Sequence, residues 1–299
     1  MTEQKILLDI SETRWAWPFG SLLIASQIRK LTNEGIEFEL SGFDENRRAH
    51  SYLGHIGFFD LMGFSLGKKI GEAVGNHNYL PITRLKKDEI SNIHESGMFY
   101  KSIQLKAEEL AQLLTGSYDY KKTRPVAYCF RELIRNVFEH AGSDDCYFSG
   151  QGYQDGRVLI GIVDNGIGLK ESLKNQHSVK SDFEAIEHAI LPGVSGKHID
   201  PKDENPWANT GFGLYVLSEI GRKMGYFSIT TGDSIYCIEE KKGSTHKDAF
   251  HRGTAINIVF SKPKGKNLDQ EIKNIIEAGE IISKTQGRTS KASKSSKTI

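Results

Sequence analysis

Three short motifs, set down in order between Glu132 and Leu214, limit what this chain can fold into more than anything else in it. The first lies on a helix. Ala127, Phe130, Ile134, Val137 and Ala141 recur at alternating steps of three and four, which makes one buried stripe. Glu132, Asn136 and His140 recur every four residues on a neighbouring face. The second motif, Asp164-Asn165-Gly166-Ile167-Gly168, follows the apolar run Val158–Val163, which reads as a strand buried on both faces. The third, Thr210-Gly211-Phe212-Gly213, opens an apolar segment from Leu214 to Ile220. Arg252-Gly253-Thr254 then precedes Ala255–Phe260, which reads as a last strand. Each motif is weak alone; their order and spacing together are a strong signal.

The residue types in this order suit a nucleotide held without a P-loop. Asn136 offers an amide oxygen to Mg²⁺, a cation that keeps several waters and takes few protein ligands. Glu132, one turn away, can orient and deprotonate a water at a terminal phosphate. Asp164 at a strand end can accept a hydrogen bond from the adenine amino group, where guanine presents a carbonyl. Gly166 and Gly168 let the backbone turn and come close to the base. Gly211, Phe212, Gly213 and Leu214 form a helix entry whose N–H groups and positive dipole end suit phosphate. Thr254 can hydrogen-bond Asp164 and a water at the adenine. Each also has a plain reading: a solvated helix face for Glu132 and Asn136, a strand-end turn for Asp164, a β-branched strand residue for Thr254.

These residues resemble the GHKL superfamily, which takes in gyrase, the ninety-kilodalton heat-shock chaperones, histidine kinases and MutL-type repair ATPases. Glu132 to Asn136 look like its N box, Asp164 to Gly168 its first glycine box, and Gly211 to Leu214 its second. The likeness spans roughly residues 100 to 262, and Glu-Leu-Ile-Arg-Asn-Val-Phe-Glu-His-Ala is nearest to the anti-sigma-factor kinase branch. It implies a Bergerat ATP site on an α/β sandwich, a mixed sheet with helices on one face, occupying 99–262. It also implies ATP and Mg²⁺ as ligands, with Asn136 for the metal, Asp164 and Thr254 for adenine, and Glu132 for catalysis. The segment between the glycine boxes, 169–209, would be the ATP lid. Within it stand His177, His188, His198, Ser195 and Lys197, with Pro192, Pro201 and Pro206. Lys197 has a charge that suits a phosphate, although a solvated lysine is the more ordinary reading. Gly196-Lys197 is not a P-loop, because Leu191 and His198 stand where that motif needs glycine and Ser or Thr.

Composition fits a soluble intracellular protein. A chain of 299 residues suggests two domains, and a net charge of +1 makes no electrostatic case for nucleic acid. Three cysteines without metal spacing point to reduced thiols and a cytoplasmic location. No apolar run reaches the roughly 18 residues of a membrane span, and the polar start is no signal peptide.

Residues 1–66 read as a small α/β unit of their own. Ile6–Ile10 is a strand, Phe19–Thr32 an amphipathic helix ending near Gly35, Ile36–Leu40 an alternating strand, and Asn46–Leu53 a helix. Leu-Leu-Asp-Ile-Ser, Glu-Gly-Ile-Glu-Phe-Glu-Leu and Leu53-Gly54-His55-Ile56-Gly57-Phe58 resemble a STAS domain. STAS domains controlled by phosphorylation usually carry Asp-Ser-Ser-Gly at the helix start; here stand Trp17-Pro18-Phe19-Gly20. Proline has no hydroxyl, so the resemblance implies a degenerate member. Trp15, Trp17 and Phe19 are either a contact surface or core. Residues 67–98 read as a connector, with helical periodicity resuming near Phe99–Leu114. Segment 263–299 reads as a C-terminal helix and a basic tail; from Ser283 it has five basic residues and no acidic ones, a composition expected to be disordered. That tail is a weak pointer to nucleic acid and equally a solubilising segment.

Three functions stay open on these residues. One is an ATP-binding, slowly hydrolysing switch acting on the STAS-like unit or a protein partner. Another is a serine/threonine kinase for a separate STAS protein. The third is an ATP-stabilised scaffold without turnover. Homo-oligomerisation is left open.

Overall fold

The computed structural model describes residues 5–76, 79–91, 96–197, 210–261, 267–288, 291–293 and 297. In chain order the first elements are β1 (Lys5–Asp9), α1 (Pro18–Asn33), β2 (Glu37–Ser41), α2 (Arg48–His55) and α3 (Phe58–Met62). There follow β3 (Tyr79–Lys86), α4 (Lys87–Ser91), α5 (Ser96–Thr115) and α6 (Tyr120–Asn136), which runs into a π-helical turn at Val137–Ala141. Then come β4 (Asp145–Gly152), β5 (Arg157–Val163), α7 (Gly168–Leu173) and α8 (Asp182–Ala189). The last are α9 (Gly213–Met224), β6 (Gly225–Glu239), β7 (Gly243–Ser261) and α10 (Leu268–Thr285).

Local chemistry sets the ends of several elements. Pro18 occupies the first turn of α1, where its missing N–H costs nothing. Asp119, Ser181 and Asn267 cap α6, α8 and α10 by accepting a backbone N–H with the side chain. The π-helical turn after Asn136 stops at Gly142, whose φ of 62° lies in the left-handed region.

The protein is mixed α/β. Five strands form one sheet in the order β3-β4-β5-β7-β6, while β1 and β2 pair in parallel as a separate two-stranded ribbon. Every neighbouring pair in the large sheet is antiparallel, so the expected mixed sheet is corrected. Two of the pairs join through reversals, β4–β5 by a tight turn from Tyr153 to Gly156 and β6–β7 as a long hairpin, and such connections place neighbours antiparallel.

Helices also cover both faces rather than one. Register alternation separates the two sides: Phe148, Ile162 and Ile256 lie in one row, and Tyr147, Val163 and Ala255 in the next. The first row joins the main core beneath α5, α6, α9 and α10. The second joins the core built by Leu22, Ala25 and Ile28 of α1 with Leu53, Phe59 and Met62. The reason lies in β5, whose continuous apolar run leaves neither face fit for water. Residues 5–66 and the sheet therefore share a hydrophobic core.

Phe19 belongs to that shared core. A Cβ added at Gly161 would stand 2.8 Å from the Phe19 ring, so glycine in mid-strand makes the seat for this side chain. Trp15 and Trp17, by contrast, are 80% and 66% exposed and take no part in it. The span expected to be a connector holds β3, an edge strand of the large sheet. That strand carries no clean alternation, since Leu80, Pro81 and Ile82 are buried in succession and the register shifts between Leu80 and Thr83. Two residues of the basic tail pack against the fold: Ala292 and Ser293 are buried, and the Ala292 N–H donates to Glu280 Oε1 at 2.9 Å. Tail residues 289–290, 294–296 and 298–299 lie outside the described residues.

Candidate functional site

A cavity open to solvent lies between α6, the end of β5, the middle of β7, the start of α9 and the segment Val194–Gly196. It brings together Glu132, Asn136, Asp164, Gly168, Gly211, Phe212, Gly213, Leu214 and Thr254 from four separate stretches of chain. His140 lines it too, so the four-residue spacing of Glu132, Asn136 and His140 does present one face to one space. Two expected residues are not on its wall. Gly166 packs against the π-helical turn, where a Cβ would run into the Ala141 carbonyl. Lys197 is exposed, with its backbone N–H donating to Ser195 Oγ at 3.2 Å. The rest of the lid, 198–209 with His198, Pro201 and Pro206, lies outside the described residues.

At the strand ends, Asp164 is buried and its Oδ1 accepts the Gly166 N–H at 2.8 Å and the Thr254 N–H at 3.2 Å. Thr254 thus meets Asp164 through its backbone rather than its hydroxyl. Asp164 Oδ2 has no hydrogen bond among the described residues and belongs to the cavity wall. Burial pushes the Asp164 carboxyl up to about 6, against the pull of its two backbone donors and of Lys30. Gly168, with φ of 76°, opens α7 at the cavity edge, and a Cβ there would meet Thr231 Oγ1 at 2.9 Å.

At the helix start, the third motif is glycine-rich for two separate reasons. Gly211 has φ of 72° and packs its Cα against the Val194 carbonyl, while its own carbonyl accepts the Gly193 N–H at 3.0 Å. Gly213 lies against Glu132: an added Cβ would stand 2.7 Å from Glu132 Oε2. The first turn of α9 has no side-chain cap, so its free N–H groups form part of the wall. We expect Gly213→Ala to displace the Glu132 carboxylate while leaving the fold intact. A crystal structure of the variant with the Arg131–Glu132 pair undisturbed would show that Gly213 does not position the carboxylate.

Two arginines missed in the sequence bear on the site, Arg135 on the cavity wall and Arg131 behind Glu132. Arg131 Nη2 pairs with Glu132 Oε1 at 3.0 Å, and Arg135 Nε with Glu139 Oε1 at 2.7 Å, all four side chains being buried. Burial works against the Arg135 charge, but Glu132 and Glu139 outweigh it and raise its pKa. Their guanidinium groups lie over aromatic rings, Arg131 over Tyr128 at 4.9 Å and Arg135 over Tyr100 at 5.4 Å. A signal was available: two arginines interrupt an otherwise apolar helix, and buried charges need partners.

Asn136 carries the clearest mark of an incomplete site. Its Nδ2 is buried and has no hydrogen-bond partner. The residue itself stands on the cavity wall, one turn of helix from Glu132. No protein-family model matches the chain, and no curated protein matches it either. What the site can do is therefore argued from its geometry. Among the described residues, no helix is long and apolar enough to cross a membrane.

Proposed function

We propose that this cavity binds Mg-ATP and that the chain is a slowly hydrolysing ATP switch with a GHKL-type site. The observation that carries the reading is the convergence of Asp164, Asn136, Glu132 and the Gly211–Gly213 helix start on one cavity. In this reading the Asp164 carboxylate accepts the adenine amino group through the oxygen its backbone donors leave free. The N–H groups opening α9 and the Arg135 guanidinium face the phosphates. The Asn136 side chain, on the cavity wall one turn from Glu132, would offer its amide oxygen to the metal. Magnesium bound there would supply charge neutralisation on the phosphate oxygens. Glu132, held between Arg131 and Gly213, orients the attacking water and takes its proton.

The likeness to a degenerate STAS unit remains a reading of residues 1–66, supported by the parallel β1–β2 pair around α1. On this proposal ATP binding changes how that unit or a protein partner is held, in a cytoplasmic setting. Such a switch requires different ATP affinity in its two states. The test is equilibrium binding of ATP with magnesium, together with phosphate release, by the full chain. Absence of binding would remove the proposal.

One observation bears on phosphoryl transfer to protein, here to this chain itself rather than to a separate STAS protein, with ADP as the leaving group. Ser293, in the basic tail, is buried and lines the same cavity as Glu132. There Glu132 would take the proton of a hydroxyl while the γ-phosphoryl group passes to its oxygen. Label transferred from the γ-phosphate to protein, rather than released as free phosphate, would select this reading.

A further inference from the structure

The carboxylate assigned to adenine is held from behind by the N-terminal helix. His251, fully buried at the entry to the last part of β7, places Nε2 3.0 Å from the Asp164 carbonyl oxygen. A carbonyl oxygen only accepts, so Nε2 carries the proton and Nδ1 is the acceptor. That acceptor meets Gln27 Nε2 of α1 at 2.8 Å. The relay therefore has one direction: the Gln27 amide donates to His251, and His251 donates to the Asp164 carbonyl. The Asp164 N–H in turn donates to the Thr254 carbonyl at 3.0 Å. The next peptide is tethered to the same helix, because Lys30 Nζ donates to the Asn165 carbonyl at 3.4 Å. At its exposed end α1 is also paired to β7, Glu34 with Arg252.

We infer that α1 is part of the base-recognition site: Gln27, through His251, is a positioning residue that fixes the Asp164 peptide, and movement of α1 changes affinity for the 6-amino group of the base. This rests on the adenine reading of Asp164. It gives residues 1–66 a direct mechanical path to the nucleotide, and a partner that shifts α1 would act on ATP affinity without touching the cavity.

The experiment compares the full chain with Gln27→Met, which keeps the side-chain volume and removes the donor. Equilibrium binding is measured for ATP and for purine riboside triphosphate, which lacks only the 6-amino group. The wild-type chain should favour ATP about tenfold or more, as one hydrogen bond to a charged acceptor allows. Gln27→Met should cut that ratio by roughly threefold to tenfold, with affinity for purine riboside triphosphate within about twofold of wild type. A general loss of folded protein would weaken both ligands alike and leave the ratio unchanged, so an unchanged ratio overturns the inference. Lys106→Gln, which breaks a surface ion pair on α5 away from α1, should leave the ratio intact. An equal drop there would reduce the relay to general loosening and overturn it. Equal wild-type affinity for the two ligands would remove the adenine reading itself, and this inference with it.

Discussion

Asp164→Asn is expected to abolish ATP binding and, at pH 7.5, to make the folded chain more stable than wild type. Both effects come from one buried carboxyl. Its folded pKa of about 6 stands above the ordinary value of 3.8, so stability is fully present below 3.8 and is lost as pH rises through about 6. A shift of that size corresponds to a cost on the order of 3 kcal/mol above pH 6, which the amide does not carry. The asparagine oxygen can still accept from Gly166 and Thr254, while its NH₂ group presents donors where adenine needs an acceptor. His251 works in the opposite sense. Burial lowers it to about 4 from 6.5, so its contribution is present above 6.5 and is lost as pH falls through about 4. The two windows overlap, and in wild type their slopes oppose each other between about 4 and 6. Removing Asp164 leaves the histidine alone, so the variant should lose its advantage steeply on acidification. Urea unfolding at pH 7.5 and 4.5 measures this. A variant less stable than wild type at pH 7.5 would mean that burying the carboxylate costs nothing.

Glu132→Gln is expected to bind ATP as wild type does and to release phosphate about 10²- to 10⁴-fold more slowly, the usual weight of a positioned general base. Glutamine keeps an oxygen for Arg131 and removes the proton acceptor. Glu132→Ala should show the same loss of turnover with a structural cost added, because Arg131 is only 5% exposed and loses its carboxylate. Breaking a buried pair from one side typically costs roughly 3–5 kcal/mol. The conservative variant thus separates chemistry from stability. Wild-type phosphate release by Glu132→Gln would take Glu132 out of the catalytic role. No release from either protein, with ATP still bound, would favour the kinase or the scaffold.

Much of the site could be read from residue order because its parts are local. Periodicities of three and four put Glu132, Asn136 and His140 on one helix face whatever surrounds it. A strand that ends in Asp164 and turns on glycine needs no distant partner to present a carboxylate at its tip. Elements with their own punctuation, such as α1 between Pro18 and Gly35, were legible for the same reason. Gly166 was placed at the ligand because a glycine in such a turn suggests close approach; here what approaches is the Ala141 carbonyl.

The sequence by itself determined which polar groups stand at strand ends and helix starts, since backbone periodicity and turn chemistry act over a few residues. Only the tertiary structure decided what lies behind them. Gln27 and His251 are 224 positions apart, and each alone is an ordinary helix or strand residue. Phe19 gains its seat only from Gly161 across the sheet, and β3 becomes a strand because β4 offers it an edge. Such contacts follow from burying both faces of β5, and the packing that satisfies that demand is a property of the whole chain rather than of any window within it.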